Sequence, residues 1–460
     1  MKKSIFLVDD WDEEGPVTFF EKLYGKLRKK LEQEQEISLA WLSEIKHNIY
    51  HSNNDLITFV KADEFIRNNP TVPDHVDVYY YINVWQCINY FHWTYFLAMD
   101  PLILDYLVET KIPVILEASM EMDENYHTVT RHIFETELIT GWDTFTNTAT
   151  EVETVAKNTK RYFRNVKDLK FYVIGGIHYE KDYKTDDQQF APRVVDTNLG
   201  YFPGCLYGQN WENALTNSLR KNKDTIIDKI KQRQITEKTW IWQAYSSQPR
   251  FTRLLFQLRA DYEKITDYGR YSRLIPGADF FKKNVSLLSA EWDKVRNYVH
   301  EDSINSLDEI KIIDATVADN KNYDLVDNSD FMFLVVLETS RINSMLDMSR
   351  TPTMVTEKCM QPIISGHPFI TYGGHRIGEF LKSYGFKEYP GLEFPDNPNC
   401  IKELNQVIDK IRDIAGLTFE HRKEIYEQWK EIAIFNFNRY LELDIQAEFL
   451  RSIYNSKKIL

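Results

Sequence analysis

Short, almost unbroken apolar runs punctuate this chain, spaced so that a helix fits between most neighbours. In the N-terminal half they are residues 5–8, 56–60, 76–84, 112–116 and 171–174; in the C-terminal half they are residues 240–245, 331–337 and 368–372. Strands apolar on both faces, rather than alternating, belong to parallel sheets covered by helices on each side. The pattern predicts an α/β fold with a recurring β-α-β rhythm and Rossmann-like domains. Residues 307–315 (LDEIKIIDA) read as a further strand pairing with 331–337. Helical patterns cover 17–31, 211–231, an amphipathic 401–414 and a long 417–454, in which Tyr426, Trp429, Ile432, Ile434 and Phe437 are the expected packing residues.

At 460 residues the chain exceeds what one hydrophobic core covers. Two domains are expected, with the boundary in the polar run 232–238: residues 1–235, residues 236–416, and helices over 417–460 that cross back to the first domain.

Chemistry in such sheets collects outside the carboxyl ends of the strands. In the C-terminal half those ends carry Glu338, the helix opening Thr356-Glu357-Lys358, and the turn Gly373-Gly374 running to Arg376. Thr356 can cap that helix, whose unpaired N–H groups and positive dipole end attract an anion, and Lys358 adds a point charge in its first turn. Glu357 suits paired ribose hydroxyls better than a phosphate, and the Gly-Gly turn allows close backbone approach to a ligand. A solvated Glu-Lys surface pair is the ordinary alternative. In the N-terminal half Asp9, Asp10, Glu117 and Glu121 follow apolar strands and are unranked candidates for a general base. Asp9 and Asp10 equally suit an acidic loop capping the following helix. Gly175-Gly176-Ile177-His178 reads as a tight turn, with contact to a ligand as the alternative, and His92 as a core histidine.

Composition narrows the classes. A net charge of −13 disfavours an open nonspecific nucleic-acid surface, although one local basic groove is compatible with it. Four scattered cysteines, Cys87, Cys205, Cys359 and Cys400, form neither a zinc signature nor a disulfide framework, which points to a reducing cytoplasm. The first apolar run is too short for a signal peptide, and no run approaches the roughly 20 residues of a membrane span. Asp10-Trp11-Asp12 spells D-x-D, a pattern that holds a metal where it follows a complete nucleotide-binding unit, whereas here it precedes any. No metal site is expected.

The order Glu338-Thr339-Ser340, a loop, Val355-Thr356-Glu357-Lys358, a helix and Pro368-Phe369-Ile370 resembles the donor half of fucosyltransferase-type GT-B glycosyltransferases. Residues 240–245, then Ser246-Ser247-Gln248-Pro249-Arg250-Phe251-Thr252-Arg253 and Asp267-Tyr268-Gly269-Arg270, resemble the same family's Ser-Asn-Pro…Arg turn and its following strand. The match spans roughly residues 238–390. It implies a GT-B architecture, two Rossmann-like domains with parallel sheets facing a central cleft, and a nucleoside-diphosphate sugar as donor substrate with no cofactor. It implies inverting, metal-independent transfer of a hexosyl or deoxyhexosyl group. Arg253, with Arg250 as the competing choice, and Lys358 would hold the diphosphate, Glu357 the ribose, and Glu338 would lie near the donor. Met354 stands where the family commonly has tyrosine, so the nucleotide, UDP or GDP, stays open; loss of catalysis in a binding or structural protein is the alternative.

The expected partners are the nucleotide sugar and an acceptor, either a glycan or modified DNA. The donor half also resembles bacteriophage proteins, and phage enzymes glycosylate hydroxymethylated pyrimidines; residues 157–170 (KNTKRYFRNVKDLK) are the basic, aromatic segment for such an acceptor.

Overall fold

The structure is a computed structural model that describes residues 3–8, 11–12, 15–16, 56–83, 100–118, 171–175, 177–178, 197–201, 219–246, 251–273, 330–338, 353–354, 357–374, 376–397 and 399–456. The chain forms two compact units, residues 1–214 with 444–460, and residues 215–443. Each is an α/β unit built on an all-parallel sheet.

The first unit holds β1 (Lys3–Val8), β2 (Ile57–Lys61), β3 (Val76–Asn83), β4 (Val114–Ala118), β5 (Phe171–Gly175) and β6 (Thr197–Tyr201). Their order in the sheet is 2-1-3-4-5-6, every pair parallel. The order reverses between β1 and β3, the kind of switch point at which doubly wound sheets bind ligands. Aromatic rings fill its core: Phe6 stacks on Tyr81 at 5.1 Å and meets Phe59 edge-on at 5.5 Å. Helix α1 (Ala62–Asn68) leaves β2 directly, and α2 (Pro101–Thr110) precedes β4. The latter starts where Asp100 accepts from the Leu102 amide and Pro101 takes the first turn, where a missing N–H costs nothing. Glu117 lies within β4, paired in register with Asn83 and Ile174, rather than just beyond the strand. The strand runs two residues past its apolar run because ladder pairing continues through a polar position.

The second unit contains α3 (Lys223–Gln232), β7 (Trp240–Ser246), α4 (Phe251–Tyr262), β8 (Gly269–Arg273), β9 (Phe331–Leu337), α5 (Glu357–Ser365), β10 (Phe369–Tyr372), α6 (Ile377–Ser383), α7 (Cys400–Gly416) and α8 (Phe419–Glu442). The sheet order is β8-β7-β9-β10, again with a reversal, here between β7 and β9. Strand β9 is buried at all seven positions. Both its edges are occupied, by β7 at Trp240, Trp242 and Gln243 and by β10 from Leu334 to Leu337. Residues 307–315, expected to pair with β9, lie outside the described residues, as do 17–31 and 157–170.

Two buried cations orient α5. Arg233 donates to the carbonyls of Gly366 (2.6 Å) and Ser365 (2.5 Å) at the helix's carboxyl end, where positive charge meets the negative end of the dipole. Lys430 of α8 donates to the carbonyls of Lys231 and Arg233, holding that segment in place. The opposite end of α5 thereby faces the carboxyl edge of the sheet.

The helix expected over 417–454 is two helices. It breaks at Leu443-Asp444, where the Asp444 carboxylate accepts from the Ala447 amide and starts α9 (Ile445–Ser456). A short acidic side chain competes for backbone donors that a continuous helix would use. Helix α9 packs in the first unit: Phe449 meets Phe6 and Tyr81 edge-on, and Gln446 Oε1 accepts from the amides of both Leu56 and Ile57.

Gln446 is 2% exposed, so Gln446→Leu leaves two amides at the start of β2 without their acceptor. The expected result is a melting temperature lower by roughly 4–8 °C, read by circular dichroism. An unchanged melting temperature contradicts this reading of the contact.

Candidate functional site

The reversal between β7 and β9 gathers four segments of the second unit. Helix α4 starts five residues after β7 ends, α5 opens after β9, and the Gly373-Gly374 turn follows β10. Side chains tie them together. Arg253, in the first turn of α4, is 4% exposed and donates Nε to the Leu337 carbonyl at 3.2 Å. Glu338, the next residue, is 1% exposed and accepts from Cys359 Sγ of α5 at 3.0 Å. Its amide donates to the Tyr372 carbonyl at 2.9 Å. The end of β9 is therefore held by α4, α5 and β10 at once.

Gly373 follows at φ +91, a conformation that a side chain rarely adopts. A Cβ there would stand 3.2 Å from the Glu338 carbonyl and 3.6 Å from Thr252 Oγ1. Thr252 is buried, and its hydroxyl has no hydrogen-bond partner among the described residues. The turn must stay bare to sit this close to β9 and α4.

Beneath the turn lies Glu403, in the first turn of α7. Asn399 caps that helix by accepting from the Ile401 and Lys402 amides. Glu403 is fully buried and accepts from the Gly373 amide at 3.1 Å, while Oε2 has no partner among the described residues. Burial pushes its carboxyl from 4.5 up to about 8, against the pull of the Gly373 and Gly374 amides and with a further push from Asp396. It is therefore largely a neutral acid near pH 7. Tyr372, also buried, is raised well above the usual phenol range by burial and then by Cys400 and Glu403.

Of the residues singled out in the sequence, the structure brings Arg253, Glu338, Gly373 and Gly374 to one corner. It opens α5 there with Glu357 as its first residue and a half-buried Lys358 as its second. Arg250, Thr356, Asp9, Asp10 and Glu121 lie outside the described residues, and so do the side chains of Glu357 and Glu117. Among the described residues no group of three His, Cys, Asp or Glu could hold a metal ion, and no helix is long and apolar enough to cross a membrane. Sequence reasoning missed Glu403 and Thr252. An acidic residue in a capped first turn looks like a routine helix start, and nothing local shows that this one turns inward to a glycine thirty residues earlier.

No protein-family profile matches the chain, and no curated protein matches it in sequence. Among solved structures, an α,α-trehalose-phosphate synthase (UDP-forming) from Burkholderia vietnamiensis overlays at 10% identity and TM-score 0.36, covering 99% of this chain and 97% of that one. The GtfA/B complex overlays at 11% identity and TM-score 0.29, with 67% of this chain and 61% of that chain covered. Overlaps this loose establish no kinship, and the reading of the site rests on its own geometry.

Glu403 makes stability depend on pH with a definite sign. Between about 4.5 and 8 the unfolded chain releases this proton while the folded chain keeps it, so stability falls as pH rises through that window. Glu403→Gln keeps an acceptor for the Gly373 amide and removes the titration. Melting temperatures measured from pH 5 to 9 are expected to fall more steeply for the parent than for the variant; parallel curves contradict the assignment.

Proposed function

We propose that this protein is a GT-B glycosyltransferase whose second unit binds a nucleoside-diphosphate sugar and whose first unit binds the acceptor that carries the reacting hydroxyl. The observation that carries the reading is the convergence of Arg253, Glu338, the opening of α5 and the Gly373-Gly374 turn at the sheet's switch point. A leaving diphosphate needs positive charge and helix N–H dipoles in a sheltered place, to which Lys358, the amino end of α5 and the Arg253 guanidinium contribute. Glu357 takes the ribose hydroxyls, Thr356 caps the helix at the diphosphate, and Arg250 is the competing choice to Arg253 for the diphosphate arginine.

Transfer is inverting and uses neither metal nor cofactor. The acceptor oxygen bonds to the anomeric carbon from the side opposite the diphosphate, the bond to the diphosphate oxygen breaks, and the acceptor proton passes to a carboxylate. Asp9, Asp10, Glu117 and Glu121 are the unranked choices for that base. The donated group is a hexose or deoxyhexose carried on UDP or GDP. The acceptor is a glycan, which suits the acidic net charge, or a hydroxymethylated pyrimidine in phage DNA, for which residues 157–170 offer basic and aromatic side chains. The protein works in the cytoplasm.

A panel of nucleotide sugars is expected to contain one that raises the melting temperature of the parent chain. Lys358→Ala is expected to weaken that donor at least roughly tenfold, the cost of one charge-assisted contact. No stabilisation by any donor contradicts the reading, and stabilisation without turnover on any acceptor assigns the non-catalytic binding protein instead. Retention on hydroxymethylated duplex DNA at low salt selects the DNA acceptor over the glycan.

A further inference from the structure

One residue at the donor corner carries a proton for which the proposed reaction has no use. Glu403, in the first turn of α7, is fully buried and holds the Gly373 amide at 3.1 Å through Oε1. Its second oxygen, Oε2, has no partner among the described residues. The turn that it holds is confined on another side as well. A side chain at Gly373 would meet the Glu338 carbonyl and the Thr252 hydroxyl, and the Glu338 carboxylate is bonded to Cys359 of α5. Glu403 therefore reaches the corner through a single peptide.

The surroundings of this carboxyl support a negative charge only through the backbone of the turn. Tyr372 comes from β10, Cys400 from one turn earlier on α7, and Asp396, in the segment before the helix, adds a like charge. Lys402, the neighbour on α7, is exposed. Helix α4, which packs on α7, brings Thr252, whose hydroxyl has no partner among the described residues, and Arg253, whose Nε goes to the Leu337 carbonyl. Strand β7 has one titratable group, Tyr245, and no charged side chain. The remaining charges, Arg259, Asp261, Glu263 and Asp267, belong to the far end of α4 and the turn after it, where Arg412 of α7 joins Glu263 about 2.5 turns beyond Glu403. Among the described residues none of these cations pairs with Glu403, so ionisation leaves a carboxylate in a dry corner.

We propose that Glu403 is a proton-sensitive positioning residue of the donor site: as a neutral acid it supports the turn that receives the nucleoside diphosphate, and its ionisation weakens that binding. The inference rests on the donor-site reading above. A bound diphosphate brings negative charge beside the turn, in a sheltered place where charges act strongly on one another. It favours the protonated form of Glu403, and by reciprocity the protonated form favours the diphosphate. Burial already holds the carboxyl at about 8, so the two forms exchange, with solvent taking the proton, inside the range of ordinary binding measurements.

Calorimetric titration with UDP and with GDP, from pH 7 to pH 9, tests it on the parent and on Glu403→Gln. The parent is expected to lose up to about tenfold in affinity for the preferred nucleotide across that range, and the variant, which cannot ionise there, to keep a flat profile. Ionisation of the nucleotide itself is common to both chains and cancels in the comparison. Titrations at pH 8 in two buffers of different ionisation enthalpy are expected to show the parent taking up as much as about half a proton on binding, and the variant less. A purely structural contact would move neither reading. Binding by the parent with no proton uptake overturns the proposal, whether or not the variant folds. Equal pH slopes in parent and variant, with Lys358→Ala still weakening the nucleotide, overturn this inference alone. No binding of either nucleotide by the parent chain overturns the donor-site reading and this inference with it.

Discussion

The last peptide of β9 is tied from three directions, and the candidate site depends on that anchorage. The Leu337 carbonyl takes the Arg253 Nε–H, the Glu338 amide goes to Tyr372, and the Glu338 carboxylate takes the Cys359 thiol. These bonds are nearly sealed from water, where a lost partner leaves a polar group that nothing else satisfies. The ends of β9 and β10 and the openings of α4 and α5 are consequently tied to one another. A ligand gripped by any of them finds the others already in position.

That rigidity explains the bare turn beside it. Gly373 carries no side chain because the Glu338 carbonyl and Thr252 already occupy the space, and its positive φ removes the remaining choice. Glu403 supports the turn from below as a largely neutral acid near pH 7, which lets a carboxyl group sit in a dry corner next to Tyr372 without the full cost of a buried charge. Elsewhere on the sheet, Arg270 donates to Gln243 Oε1, and the Gln243 amide nitrogen donates in turn to the Tyr245 phenol oxygen.

Much of the frame was legible in the sequence because burial on two faces leaves strands as unbroken apolar runs. Residues 331–337 mark β9 to the residue, and the runs at 5–8 and 171–174 mark β1 and β5 to within two. Hydrophobicity reveals that a strand exists but not which edges it fills; that β7 and β10 flank β9 follows from the hydrogen-bond ladder alone. Helical periodicity likewise ran through Asp444, because capping depends on one side chain that the period does not weigh. In the candidate site, Arg253, Glu338 and the two glycines stand out by position at strand ends. Glu403 does not, since it acquires its meaning from a contact with a segment thirty residues away.

Hydrogen exchange with and without bound nucleoside diphosphate tests the central claim most directly. The account predicts slowed exchange concentrated in residues 251–254, 357–360 and 373–374, the openings of α4 and α5 and the glycine turn, which change together. Protection confined to the first unit, or spread without regard to these three segments, would contradict it.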